Sequence, residues 1–153
     1  MRAAVGIGSN AGDALANVRR AFDRLGEVGI VVARSRLYRT PPWGLADQAP
    51  FVNAAALIDT ALDPRALLAA LKRIEAEEGR VATVRWGPRV LDLDILTYGD
   101  VRLDDPDLVI PHARLSERAF ALVPLAEIDP RYIGLRDALP PGERAAVVEL
   151  AAQ

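Results

Sequence analysis

Across residues 90–98 apolar and acidic side chains alternate, so Leu91, Leu93 and Ile95 fall on one side of an extended chain and Asp92 and Asp94 on the other. Such a strand can bury one face but not both, which calls for a sheet layered on one side and open on the other at this point. Two residues along a strand span roughly 6.5 Å. Two ionised carboxylates so placed repel unless a cation lies between them or one takes a proton. Magnesium suits the pair, since it takes oxygen ligands, accepts one or two carboxylates and leaves its other positions to water and phosphate. Two such ions about 3.5 to 4 Å apart could share the two aspartates. Taken alone, the same pair also suits the solvated face of a half-buried strand.

The residues before this strand favour the ligand. Arg80, Arg85 and Arg89 flank Trp86 in a loop marked by Gly87-Pro88, and guanidinium groups donate in the planar fork that matches phosphate oxygens. Trp86 either fills a satellite core or packs against a heterocycle. His112 is the sole histidine, suited to a structural bond or to a hydrogen bond with a phosphate. Asn53 stands in the middle of a strand pattern, where asparagine is disfavoured. Its amide has the donor and acceptor that match the edge of a nitrogen heterocycle. Phe51 shares its face by alternation, and Phe120 follows His112; both also suit a core. Thr40-Pro41-Pro42-Trp43-Gly44 opens a stiff loop over 39–50 whose length between two strands favours binding. There is no Walker-type glycine loop, dinucleotide fingerprint or serine triad. Phosphate chemistry would therefore rest on metal and arginine.

Periodicity orders the elements. Ala3, Val5 and Ile7 read as a strand stopping at a Gly8-Ser9-Asn10 turn. Asp13 caps a helix carrying Leu15, Val18, Phe22 and Leu25, ended by Gly26. Strands follow over 30–38 and 51–58, then a helix started by Asp63-Pro64 and closed by Gly79, then the aspartate strand. A short strand near 101–103, a Ser116-capped helix through Leu122 and a terminal helix over 143–152 complete the chain. The order β, α, β, β, α, β is the split βαβ arrangement of an α+β, ferredoxin-like fold, an antiparallel sheet with helices on one face and the other left for a ligand. With 153 residues, one domain over 1–153 is expected. A net charge of −2, with basic residues spread along the chain, argues against a nucleic-acid surface. The absence of cysteine excludes disulfides and thiol catalysis. No apolar run or leader pattern points to a membrane. A cytoplasmic monomer is the expectation.

Assembled in order, these residues resemble the 6-hydroxymethyl-7,8-dihydropterin pyrophosphokinases of folate biosynthesis, from Ala4 to about Pro130. The pieces are Ile7-Gly8-Ser9-Asn10, Tyr38-Arg39-Thr40-Pro41-Pro42, Phe51-Val52-Asn53-Ala54-Ala55, Arg73-Ile74-Glu75 leading to Gly79-Arg80, the block 85–95, and Ile110-Pro111-His112 with Arg118 and Phe120. The resemblance implies a ferredoxin-like core and transfer of diphosphate from ATP to the pterin alcohol, with AMP leaving. It implies two magnesium ions on Asp92 and Asp94, and Arg80 and Arg89 acting on the transferring group. It implies ATP held by Glu75, Arg85, Trp86, His112 and Arg118, with Lys72 nearby. The pterin would lie between Phe51 and Phe120, with Asn53, Thr40 and Pro41 at its edge and Trp43 above it. Ala82 and Ala113 depart from the arginine and tyrosine common in the family, and the tail after Asp129 fits it poorly. Two other readings stay open on the residues alone. One is a palm-like nucleotidyltransferase or phosphohydrolase using the same aspartates, and the other is a non-catalytic binding module in which they are surface charges.

Overall fold

The computed structural model describes residues 1–41, 49–79 and 90–150. Strand β1 (Arg2–Ser9) leads to helix α1 (Ala14–Leu25), whose N-cap Asp13 accepts a hydrogen bond from the Ala16 backbone N–H at 3.1 Å. The expected turn at Gly8 lies later, because Gly8 and Ser9 pair with Asn53 and Val52; the chain turns around Gly12, at φ +63°. Strands β2 (Ile30–Arg34) and β3 (Tyr38–Thr40) replace the single strand expected over 30–38. The Ser35 hydroxyl accepts from the Ala55 N–H at 2.9 Å and itself donates to the Arg36 carbonyl at 2.7 Å, interrupting the ladder between them.

Strand β4 (Phe51–Asp59) runs to helix α2 (Pro64–Glu77). Asp63 caps α2 through the Ala66 N–H at 2.8 Å, Pro64 opens it, and Gly79, at φ +93°, follows its end. Strand β5 (Asp92–Tyr98) then takes the sheet edge beside β1. The sheet order β5-β1-β4, with β2 and β3 both on the far side of β4 and every pairing antiparallel, is that of the ferredoxin-like core. On one face, Ala3, Val5, Ile7, Ala54, Ala56, Ile58, Leu93 and Ile95 meet Val18, Phe22 and Leu25 of α1 and Leu67, Leu71 and Ile74 of α2 in the main core. The alternation in each strand and the 3.6-residue spacing in each helix produce that layer directly.

The rest of the chain departs from expectation. Strands β6 (Leu103–Asp105) and β7 (Leu108–Ile110) form a separate hairpin where one short strand was expected. Ser116 caps nothing; it lies inside a 3₁₀ turn over Leu115–Glu117, and helix α3 (Ala119–Ile128) starts after Arg118 with no side-chain cap. Helix α3 lies on the face opposite α1 and α2, where Leu122 and Leu125 pack with Ala4 and Leu96 in a second, smaller core. It covers only part of that face. Helix α4 (Ile133–Asp137) follows α3, and in place of the terminal helix expected over 143–152 the described residues form the end of α5 (Pro141–Ala145) and a two-residue strand β8 (Val148–Glu149) paired with β3, residues 151–152 lying outside them. Tertiary pairing overrides the helical propensity of the alanine-rich tail: the Leu150 N–H donates to the Leu37 carbonyl at 3.0 Å and Arg36 pairs with Glu149 at 3.0 Å. Among the described residues no helix is long and apolar enough to cross a membrane.

Candidate active site

The uncovered part of the second face holds a cavity of about 510 Å³ that runs from Thr40 and Phe51, past Asp92 and Asp94, to Leu68 and Lys72. Its floor comes from alternate residues of three strands. Register places Gly6 beside Asp94, and Gly8 beside Asp92 on one side and Asn53 on the other. A Cβ on Gly8 would lie 3.0 Å from Asn53 Nδ2, and one on Gly6 would lie 3.2 Å from Leu96 Cδ2. The two glycines thus let the amide and the leucine lie across β1. Leu96 shares this face with Asp92 and Asp94 by alternation, and the register shift opposite Ala4 and Val5 turns the residue that would follow on it, Tyr98, into the main core instead.

At one end Asn53 is buried, and its Oδ1 accepts a hydrogen bond from Thr40 Oγ1 at 2.7 Å. One lone pair of the acceptor expected for a ligand is therefore already used. The amide Nδ2, over Gly8, is the group left to donate into the cavity. Phe51 and Phe120, each half-buried, both line this end.

In the middle, Asp92 is half-buried and Asp94 exposed, on the same side of β5. Asp94 makes no hydrogen bond or ion pair among the described residues. Nor do those residues bring three or more acidic, histidine or cysteine side chains together as a closed metal cage. Two adjacent carboxylates on an open face fit magnesium, which accepts one or two and keeps the rest of its sphere for other oxygens.

Across from Asp94 lie His112 and Arg118. The His112 N–H donates to the Leu96 carbonyl at 2.9 Å, which ties the residue after the cis Ile110–Pro111 bond to β5. Burial holds the His112 imidazole below its ordinary pKa, against an upward pull from Asp94 and a further downward push from Arg118. The ring is thus neutral at pH 7, and its Nδ1 accepts from the Arg114 N–H at 3.4 Å, which leaves the proton on Nε2 as a donor. Burial likewise lowers the Arg118 guanidinium, with Asp94 and Asp92 opposing it. Arg118 Cζ stands 5.6 Å from the Phe120 ring centre, a cation–π distance, and its Nε is buried without a partner among the described residues.

Glu75 lines the cavity from α2, but it also has a structural duty. Its Oε2 accepts the Leu93 N–H at 2.7 Å, satisfying an outward donor of the edge strand β5. The structure thus brings together Glu75, Asp92, Asp94, His112 and Arg118 with Thr40, Pro41, Phe51, Asn53 and Phe120. Trp43, Arg80, Arg85, Trp86 and Arg89 lie outside the described residues. Sequence reasoning missed Gly6 and Leu68, and took Gly8 for a turn. Glycines at alternating strand positions were the available signal of a close approach. It also missed the wall built by Pro106, Asp107 and Leu108, since nothing in an acidic turn marks which way a hairpin will fold.

The model of the 7,8-dihydro-6-hydroxymethylpterin-pyrophosphokinase (HPPK) family matches residues 4–130. The chain belongs to this family. It is 54% identical over 134 residues to a 2-amino-4-hydroxy-6-hydroxymethyldihydropteridine pyrophosphokinase of Methylorubrum extorquens, covering 86% of this chain and 85% of the relative. A Pseudomonas aeruginosa protein of the same description is 48% identical over 132 residues, covering 84% and 81%. Among solved structures, a complex of HPPK-DHPS with substrates superimposes with a TM-score of 0.68 at 15% identity, covering 90% of this chain and 43% of that one. Plasmodium falciparum HPPK-DHPS gives 0.64 at 15% identity, covering 89% and 43%. At that identity the likeness speaks for the fold, and the chain spans less than half of those longer proteins. Membership makes this a pyrophosphokinase, a family that transfers a pyrophosphoryl group to a pterin in folate biosynthesis. Residues 131–150, with α4, α5 and β8, lie beyond the family match.

Proposed function

We propose that this chain transfers diphosphate from ATP to 6-hydroxymethyl-7,8-dihydropterin, releasing AMP and the pterin diphosphate. One observation carries the reading: a single cavity joins an amide and two phenylalanines at one end to Leu68, Lys72 and Glu75 of α2 at the other, with two aspartates between. The flat pterin enters between Phe51 and Phe120, with Asn53 Nδ2 and the backbone at Thr40 and Pro41 meeting its polar edge and Trp43 covering it. ATP lies along Glu75 and Lys72, with Nε2 of His112, Arg118, Arg85 and Trp86 holding its phosphates and base.

Asp92 and Asp94 are the residues that would hold two magnesium ions, whose chemistry here is to neutralise polyphosphate charge. The aspartates also orient the hydroxymethyl group. Its oxygen attacks the β-phosphorus in line as the hydroxyl proton is lost to solvent, the bond from that phosphorus to the oxygen bridging the α-phosphate breaks, and AMP departs with the bridging oxygen. Arg80 and Arg89 stabilise the charge that develops on the transferring group. Positioning two substrates in one dry site supplies the rest. We place the protein in the cytoplasm as a monomer.

Incubation with ATP, magnesium and the reduced pterin alcohol, followed by chromatography, tests the reading. AMP and the pterin diphosphate are expected in equal amounts. ADP or free pyrophosphate as the main by-product would instead point to a phosphohydrolase or nucleotidyltransferase.

A further inference from the structure

Helix α3 and strand β3 form the two sides of the pterin end, and they are tied together away from it. On β3, Tyr38 and Thr40 share a face by alternation, and their partners on β4 are Asn53 and Phe51. On α3, Phe120 and Glu127 are seven residues apart, which puts them on one stripe about 10.5 Å apart along the axis. The Tyr38 hydroxyl donates to Glu127 Oε1 at 2.5 Å, and the Arg36 backbone N–H donates to both Glu127 oxygens at 3.1 and 3.0 Å. One carboxylate therefore grips the strand on both sides of Leu37, where the sheet ladder is interrupted. Burial first, and then the bond to Glu127, push the Tyr38 phenol well above its ordinary pKa, so it stays a donor. Neither residue lines the cavity.

We propose that Tyr38 and Glu127 are a positioning pair that sets the distance between the Phe120 and Phe51 sides of the pterin end. The proposal rests on the reading of that end as a pterin site. Pro124 removes the helical bond to the Phe120 carbonyl, but buried Ala121, Leu122 and Leu125 on either side of it keep the two turns of α3 packed on one surface, so an anchor near the last turn still bears on where the first turn presents Phe120. Most of the nucleotide end is held separately, because Glu75 and Lys72 lie on α2 and His112 is bonded to the Leu96 carbonyl of β5; only Arg118, the residue that opens α3, is carried with Phe120. Loss of the pair should therefore act chiefly on the pterin and much less on the nucleotide.

The test is calorimetry on the full chain with magnesium, measuring a non-hydrolysable ATP analogue and then the reduced pterin alcohol in its presence. Tyr38→Phe removes one oxygen from a buried ring and Glu127→Ala removes the carboxylate. Each should weaken the pterin about fivefold and change the analogue less than twofold. Glu127→Gln keeps an acceptor for both donors and should restore pterin affinity to within twofold of the parent. Parent affinity in both Tyr38→Phe and Glu127→Ala would overturn the inference, as would equal losses for both ligands. A parent chain that binds the pterin but releases no AMP would sink the reaction proposed above, while the inference would still be decided by these affinities. Failure of the parent chain to bind the pterin would overturn both.

Discussion

The two faces of the sheet are made by alternate residues of the same strands, yet they follow different rules. Facing α1 and α2 are Val5, Ile7, Ala54, Ala56, Leu93 and Ile95, all buried and apolar. Facing the cavity are Gly6, Gly8, Phe51, Asn53, Asp92 and Asp94. Glycine, asparagine and aspartate are poor strand formers, and here they sit side by side in register across β4, β1 and β5. Helix α3 packs over Ala4, Leu57 and Leu96, where this face is apolar, and the cavity opens where the unfavourable residues begin. The first face stabilises the fold. The second gives up strand propensity and packing to line the cavity with polar side chains on a rigid floor, the groups proposed above to meet the ligands.

Substitutions on the two faces should therefore separate activity from stability. The largest loss of turnover is expected for Arg80→Ala and Arg89→Ala, about 10³-fold each by analogy with arginines that stabilise phosphoryl transfer. An effect below tenfold for both, measured as AMP released per second, removes them from the chemistry. Asp94→Asn should cost about 10²- to 10³-fold in turnover and weaken the nucleotide in magnesium, while its denaturation midpoint stays near that of the parent. Leu93→Ala, one residue away on the other face, should do the reverse. It would lower stability by about 2–5 kcal/mol and leave substrate affinities in the folded protein little changed. If Asp94→Asn leaves nucleotide affinity in magnesium unaltered, the aspartates are merely solvated and the distinction between the faces fails.

The first face was legible because its signals are local. Asp13, Asp63, Pro64 and Gly79 mark helix ends through bonds within a few residues, and the apolar alternation of β1, β4 and β5 names the core side directly. The aspartate pair and the misplaced Asn53 were legible on the second face for the same reason, each breaking a local rule. What could not be read depends on distant partners. The gap between β2 and β3 is made by Ser35, Ala55 and Glu127, the last lying 91 residues from Arg36. The tail reads as helix until β3 offers it a free edge. That Thr40 bonds the amide oxygen of Asn53 follows only once β3 and β4 are aligned.

The glycines test how closely the floor must fit. Gly8 has no positive φ, so alanine is compatible with the strand, but its Cβ would come within 3.0 Å of Asn53 Nδ2. Gly8→Ala should turn the amide and weaken the pterin about tenfold, the cost of roughly one good hydrogen bond, with the nucleotide little affected. Gly6→Ala meets only the side-chain carbons of Leu96, at 3.2 to 3.3 Å. Leucine can rotate where a hydrogen-bonded amide cannot, so this variant should lose less than threefold for either ligand. Equal effects at both positions, read by titration calorimetry, would mean that the amide is not the group being protected.

The smallest effect expected concerns His112. Its folded pKa lies below the ordinary 6.5, chiefly through burial. The unfolded chain therefore binds more protons than the folded one as pH falls through 6.5, and folding stability contributed by this group is present above that pH and lost below it. Because His112 is the only histidine, it is the only side chain whose ordinary pKa falls between pH 5.5 and 7. In metal-free buffer the parent's denaturation midpoint should drop across that window, and His112→Gln should flatten the drop while matching the parent's slope above pH 7. Adding a phosphate-bearing nucleotide should reverse the trend, since an anion beside Nε2 favours the protonated ring and draws its pKa back up. A parent curve that is level from pH 7 to 5.5, or a glutamine variant that falls just as steeply, would show that the ring is not held neutral by burial beside Asp94, and with that the case for Nε2 as the neutral donor of this site would go.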